Sequence, residues 1–92
     1  MSTKEEVLEE VKTNTKKQKN YEIVLFNDDH NTFDHVIETL IYACDHTAEQ
    51  AEQCSLLVHY KGKCTVKTGA FPDLKPRCSK LLDAGLSAEI IG

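Results

Sequence analysis

Between Tyr21 and His30 the chain reads Tyr-Glu-Ile-Val-Leu-Phe-Asn-Asp-Asp-His, six residues of strand-forming pattern that stop at three polar side chains. Tyr21, Ile23 and Leu25 fall on one face of an extended segment, and Val24 and Phe26 on the other. Both faces therefore require cover, and the strand is expected at the centre of a sheet. Asn27, Asp28 and Asp29 end it. A helical apolar period begins at Phe33, which puts the polar triplet in a strand-to-helix loop with its acceptors exposed.

The rest of the chain supplies that cover. Phe33, Val36, Ile37, Leu40, Ile41 and Cys44 recur at steps of three and four, the stripe of an amphipathic helix lying on the sheet, with Thr32 as its N-cap. Asp45 and His46 interrupt the stripe. Thr47 followed by Gln50 is a capping-box signature that opens a second helix, lined on one side by Ala51, Cys54, Ser55 and Val58 and stopped by Gly62. The two helices form a hairpin. Cys64, Val66 and Thr68 mark a half-exposed strand over 63–68. Pro72 and Pro76 bracket the start of a third helix, because proline fits a first turn and not a deeper one. That helix is expected from near Pro72 or Lys75 to about Ala84, with Gly85 as its stop. Leu86 to Ile91 forms the last strand. The order β-α-α-β-α-β specifies an α/β fold, a small single-domain sandwich in which three helices pack a three-stranded sheet.

Ninety-two residues with 40% apolar content support one modest core. Residues 1–20 hold five lysines and four glutamates and almost no large apolar side chains, so 1–19 is expected to be a flexible N-terminal extension and 20–92 the folded domain. Within the extension, Thr3 with Glu6 and the face formed by Val7, Leu8 and Val11 could support a transient helix over 2–12, too short to be stable alone. A formal charge of -4 and a pI near 5.5 exclude nucleic acid and anionic membrane as main partners and favour a cationic ligand. No apolar run approaches a spanning helix, and the N-terminus carries no signal-peptide core. Cys44, Cys54, Cys64 and Cys78 are at least nine residues apart with no Cys-x-x-Cys pair, which points to free thiols in a reducing, cytoplasmic setting and to no metal.

Two polar groups stand out by position: the Asn27, Asp28, Asp29 triplet and His59, which lies in Val-His-Tyr-Lys-Gly-Lys near the end of the second helix. Spacing alone does not bring them together. Tyr-x-Ile-Val-Leu-x-Asn-Asp-Asp followed by a helix pair ending Val-His-Tyr-x-Gly-Lys resembles the ClpS adaptors, which deliver N-degron substrates to a Clp ATPase and protease. The resemblance covers about residues 21–68, with the final helix and strand following in the same order. It implies a non-enzymatic adaptor without cofactor or catalytic residue, whose partners are N-degron substrate proteins and a Clp AAA+ ATPase of the ClpA or ClpC type with its protease. By that resemblance Asn27, Asp28, Asp29 and His59 receive the substrate's α-amino group, directly or through water, and Phe33, Val36, Ser55, Val58 and Leu86 line a cavity for its side chain. Phe33 and Ser55 stand where methionine is common in the family, and Asn31-Thr32 where Thr-Pro is usual.

The residue chemistry agrees independently. A protonated α-amino group carries three N–H donors and requires acceptors: an Asn carbonyl oxygen, carboxylate charge and an unprotonated imidazole nitrogen supply them. An apolar cavity beside them can read a side chain. Two rival classes remain. A hydrolytic or metal enzyme would draw on Asp28, Asp29, His30 and His35, but the two histidines are five apart rather than four, and neither a third ligand nor an activated nucleophile is evident. An interaction domain of the same fold would dock on a partner without reading a free amine.

Overall fold

The structure is a computed structural model and describes residues 20–92. The expected helix over 2–12 and the extension over 1–19 lie outside the described residues. Strand β1 (Tyr21–Phe26) leads into α1 (Phe33–Cys44) and α2 (Ala48–Lys61). Then follow β2 (Lys63–Gly69), α3 (Phe71–Asp83) and β3 (Ser87–Ile91). The sheet runs β2-β1-β3 with both pairings antiparallel, so β1 is central as its apolar pattern requires. Tyr21 faces Gly69 and Phe26 faces Lys63 on one side. On the other, Glu22 faces Ile91 and Phe26 faces Ser87.

The core draws on only one face of that sheet. Ile23, Leu25 and Val66 pack with Leu40, Ala43, Cys44, Ala51, Val58, Leu74, Cys78, Leu81 and Leu86, and Cys64, Ala88 and Ile90 close its edges. Val24 is also buried, but it lies outside this cluster, opposite Thr65 and Glu89 on the other face. Of the thiols, Cys44 and Cys78 are buried in that core and Cys54 and Cys64 are half-buried against it. Burial pushes the Cys44 thiol up to about 11.

Local chemistry explains the helix boundaries. The Thr32 hydroxyl accepts from the His35 amide, and Thr47 and Gln50 form a reciprocal capping box at the start of α2. Asp45 ends α1 in the left-handed conformation. The apolar stripe of α1 is wider than its contact, since Phe33 and Ile41 are exposed while Leu40, Ala43 and Cys44 are buried.

Of the two starts expected for the third helix, the one near Pro72 is observed and the one near Lys75 is not. The helix begins at Phe71, so Pro76 sits inside it rather than in the first turn. An interior proline costs about 3 kcal/mol or more. Leu74 and Leu81, both wholly buried on the same face as Cys78, offset it at roughly 1.5–3 kcal/mol each. The last strand begins at Ser87, leaving Leu86 in the turn before it, where its amide bonds the Leu81 carbonyl and its side chain is buried. Among the described residues no helix is long and apolar enough to cross a membrane.

Candidate functional site

The polar end of β1 and the end of α2 meet through the backbone. The Asn27 amide donates to the Gly62 carbonyl at 2.9 Å. Gly62 closes α2 with φ at 90°, a conformation that L side chains rarely adopt, and its own amide returns to the Val58 carbonyl. This turn brings Asn27 alongside the last turn of α2, which carries His59. Leu86 enters from the α3–β3 turn, and Phe33 and Val36 from the first turns of α1. All nine residues singled out in the sequence, Asn27, Asp28, Asp29, Phe33, Val36, Ser55, Val58, His59 and Leu86, line one cavity of about 510 Å³.

Polarity is graded across that cavity. Asn27, Asp29 and His59 are exposed at its mouth, while Ser55, Val58 and Leu86, at 3%, 5% and 4% exposure, form the enclosed part. Phe33 is exposed and Val36 half-buried between the two. The cavity therefore has a polar end that meets water and an apolar end that excludes it.

The loop is built on Asp28. Its Oδ1 accepts from the amides of His30 and Asn31 and from the Asn31 carboxamide, at 3.0, 3.2 and 3.0 Å. Its Oδ2 accepts from the same carboxamide at 3.1 Å and from the Ser87 hydroxyl at 3.4 Å. Asn31 Nδ2 also donates to the Gly85 carbonyl at 2.9 Å, so the loop is tied to the turn that carries Leu86. Burial alone would raise the Asp28 pKa, but these donors outweigh it and hold the carboxyl below its ordinary value of 3.8. Its oxygens are thus occupied by internal donors. In contrast, the Asn27 and Asp29 side chains make no hydrogen bond or ion pair among the described residues, and the His59 ring makes only an edge contact with Tyr60, centroids 4.9 Å apart.

The histidines proposed for a rival enzyme do not gather. The His35 ring, through Nε2, donates to the Ala84 carbonyl at 2.9 Å and so serves packing between α1 and α3. Among the described residues no group of three or more His, Cys, Asp or Glu is placed to hold a metal ion.

The sequence pattern of the family described as ATP-dependent Clp protease adaptor protein ClpS matches residues 16–89. The chain belongs to the ClpS family. It is 44% identical over 66 residues to the ATP-dependent Clp protease adapter protein ClpS of Acetivibrio thermocellus, covering 72% of this chain and 67% of that protein. With the ClpS of Thermosynechococcus vestitus it shares 36% identity over 69 residues, 74% of this chain and 73% of the other. In fold it is similar to the structure of Agrobacterium tumefaciens ClpS2 bound to L-phenylalaninamide. That match has a TM-score of 0.72 at 17% identity and covers 79% of this chain and 98% of that one.

Sequence reasoning about this ClpS family member missed the contributions of Leu25, Phe26, Asn31, Leu56 and Tyr60, which also line the cavity. A signal existed for part of this. An Asp followed by short polar residues favours a turn in which its carboxylate caps the amide two positions on, which is the Asp28 to His30 bond. The Asn31 bond to Gly85 spans 54 residues and leaves no local trace. Tyr60 follows His59 in the family motif, but its 77% exposure at the rim depends on how α2 ends.

Proposed function

We propose that this ClpS family member is a non-enzymatic adaptor that binds the N-terminal residue of substrate proteins, with large hydrophobic or aromatic residues preferred, and delivers them to a Clp ATPase and protease in the cytoplasm. The observation that carries this reading is the set of acceptors without internal partners at the mouth of an apolar cavity: the Asn27 carboxamide, the Asp29 carboxylate and the His59 imidazole. An α-ammonium group offers three donors and one positive charge, and it matches that set better than a neutral or anionic ligand does. Asp28 contributes its negative charge and the shape of the loop, its oxygens being engaged already. Phe33, Val36, Ser55, Val58 and Leu86 then surround the side chain. Phenylalaninamide, the ligand in the related ClpS2 structure, has both a free α-amine and an aromatic side chain, one for each end of such a cavity.

Delivery is tested with paired reporters. A reporter that begins with Phe should be degraded several-fold faster by a Clp ATPase and protease when this protein is added, whereas one with Met placed before that Phe should not. Equal acceleration of both would favour an interaction domain that docks without reading the N-terminus.

A further inference from the structure

Two buried hydroxyls on neighbouring helices are treated differently by the fold. Thr39 on α1, 6% exposed, donates to the His35 carbonyl one turn earlier at 2.8 Å. Ser55 on α2, 3% exposed, has no hydrogen-bond partner. The usual internal solution for a helical serine, a bond to the carbonyl four residues back, is not made here. Thr39 lies outside the cavity lining, and Ser55 is part of it.

We propose that the Ser55 hydroxyl is a specificity determinant that reads the phenol of an N-terminal tyrosine, making tyrosine the favoured member of the aromatic class. The inference rests on the function proposed above. Ser55 and His59 are four residues apart on α2, so they share a face and are separated by about 6 Å along the axis. That is about the length of a tyrosine side chain, so an α-amino group held at His59 directs the phenol to the level of Ser55. A rotation about the serine χ1, between staggered wells, turns the hydroxyl from the wall to the ligand. Hydroxyl and phenol can each donate or accept.

The walls select the rest of the side chain. Val36, Val58, Phe33 and Leu86 are apolar and favour an aromatic body, while a short polar residue such as serine or threonine would neither contact them nor reach Ser55. Phenylalanine fills the same space but leaves the hydroxyl without a partner. A neutral hydrogen bond of this kind should be worth about three- to tenfold in affinity.

The test titrates peptides beginning with Tyr, Phe or 4-methylphenylalanine, the last filling the phenol volume without a hydrogen bond, into the intact parent and into Ser55→Ala and Ser55→Cys. The parent should bind the Tyr peptide three- to tenfold more tightly than the other two. Ser55→Ala should remove that preference, bringing the Tyr and Phe affinities within about twofold of each other whatever their absolute level, and Ser55→Cys, a weaker donor of similar size, should restore only part of it. Tyr and Phe affinities that are equal in the parent, or a Tyr preference that survives in Ser55→Ala, would overturn the inference and leave amine recognition standing. Failure of every peptide to bind a folded parent would instead remove the adaptor reading on which it rests.

Discussion

At the N-terminal end of α1 the Asp28 carboxylate is held by amides, a carboxamide and a hydroxyl, all neutral. At the C-terminal end the Asp45 carboxylate meets the guanidinium of Arg77 at 2.8 Å, and that same guanidinium donates to the Ala43 carbonyl at 3.3 Å. Arg77 also lies 3.4 Å from Asp73. The difference follows the helix dipole. Carboxylates are favourable near an N-terminus without help, whereas one at a C-terminus adds to the negative end and is stabilised by a cation. It has a functional consequence as well. The chain supplies the cation at the Asp45 end. At the Asp28 end no described lysine or arginine pairs with Asp28 or Asp29, and the negative charge remains available to a cationic ligand.

Variants at the two ends should therefore separate binding from stability. Asn27→Ala or His59→Ala removes a proposed acceptor for a charged donor, worth about 1.5–3 kcal/mol, or ten- to hundredfold in affinity for a Phe-starting peptide. Thermal unfolding should barely change, because neither side chain bonds to the described fold. Parent-like binding by both folded variants would show that the acceptors serve another purpose. Arg77→Met should do the reverse and lower stability by about 0.5–1.5 kcal/mol through the lost hydrogen bond to the Ala43 carbonyl, the exposed Asp45 pair adding little in water, measured by denaturant unfolding. Loss of peptide affinity in this variant would show that the two ends are coupled.

Smaller effects sharpen the contrast. Asn31→Ala loosens the Asp28 loop without touching the apolar walls, so affinities for Phe, Leu and Tyr peptides should fall together by about threefold to tenfold. A loss confined to one of them would place Asn31 in side-chain selection instead. The smallest effect concerns acid and salt. The Arg77 hydrogen bond and charge hold the Asp45 carboxyl below its ordinary value of 3.8. Both aspartates have lowered folded-state values, so each contributes stability that is complete above 3.8 and is lost as pH falls through the lowered value. The Debye length shrinks to about 3 Å in 1 M salt, which should weaken the Arg77 contribution and leave the neutral donors at Asp28 unaffected. Carboxyl titration by NMR at low and high salt should show the Asp45 value rising and the Asp28 value fixed. Equal movement would mean that charge governs both ends.

The framework of the fold could be read from short-range patterns because its causes are short-range. The apolar run of β1, the Thr47–Gln50 box and Gly62 each specify a local geometry, and the structure contains each. Pro76 misled because its local cost is outweighed by Leu74 and Leu81, whose burial depends on the sheet. The cavity was only partly legible. Family likeness named nine of its residues, but the engagement of Asp28 by Ser87, the Asn31 bond to Gly85 and the unpaired hydroxyl of Ser55 depend on contacts across many residues of chain. Composition contains no trace of such contacts.

Amine recognition is tested most directly by acetylation. A short peptide beginning with Phe and the same peptide with an acetylated N-terminus differ in one cation and its donors, with the side chain unchanged. Titrated side by side into the intact protein near neutral pH, the free peptide should bind at one site. The acetylated one should lose about a hundredfold or more, since two or more charge-assisted bonds vanish together. Equal affinity for the two peptides would contradict the account, because Asn27, Asp29 and His59 would then not be receiving an α-amino group.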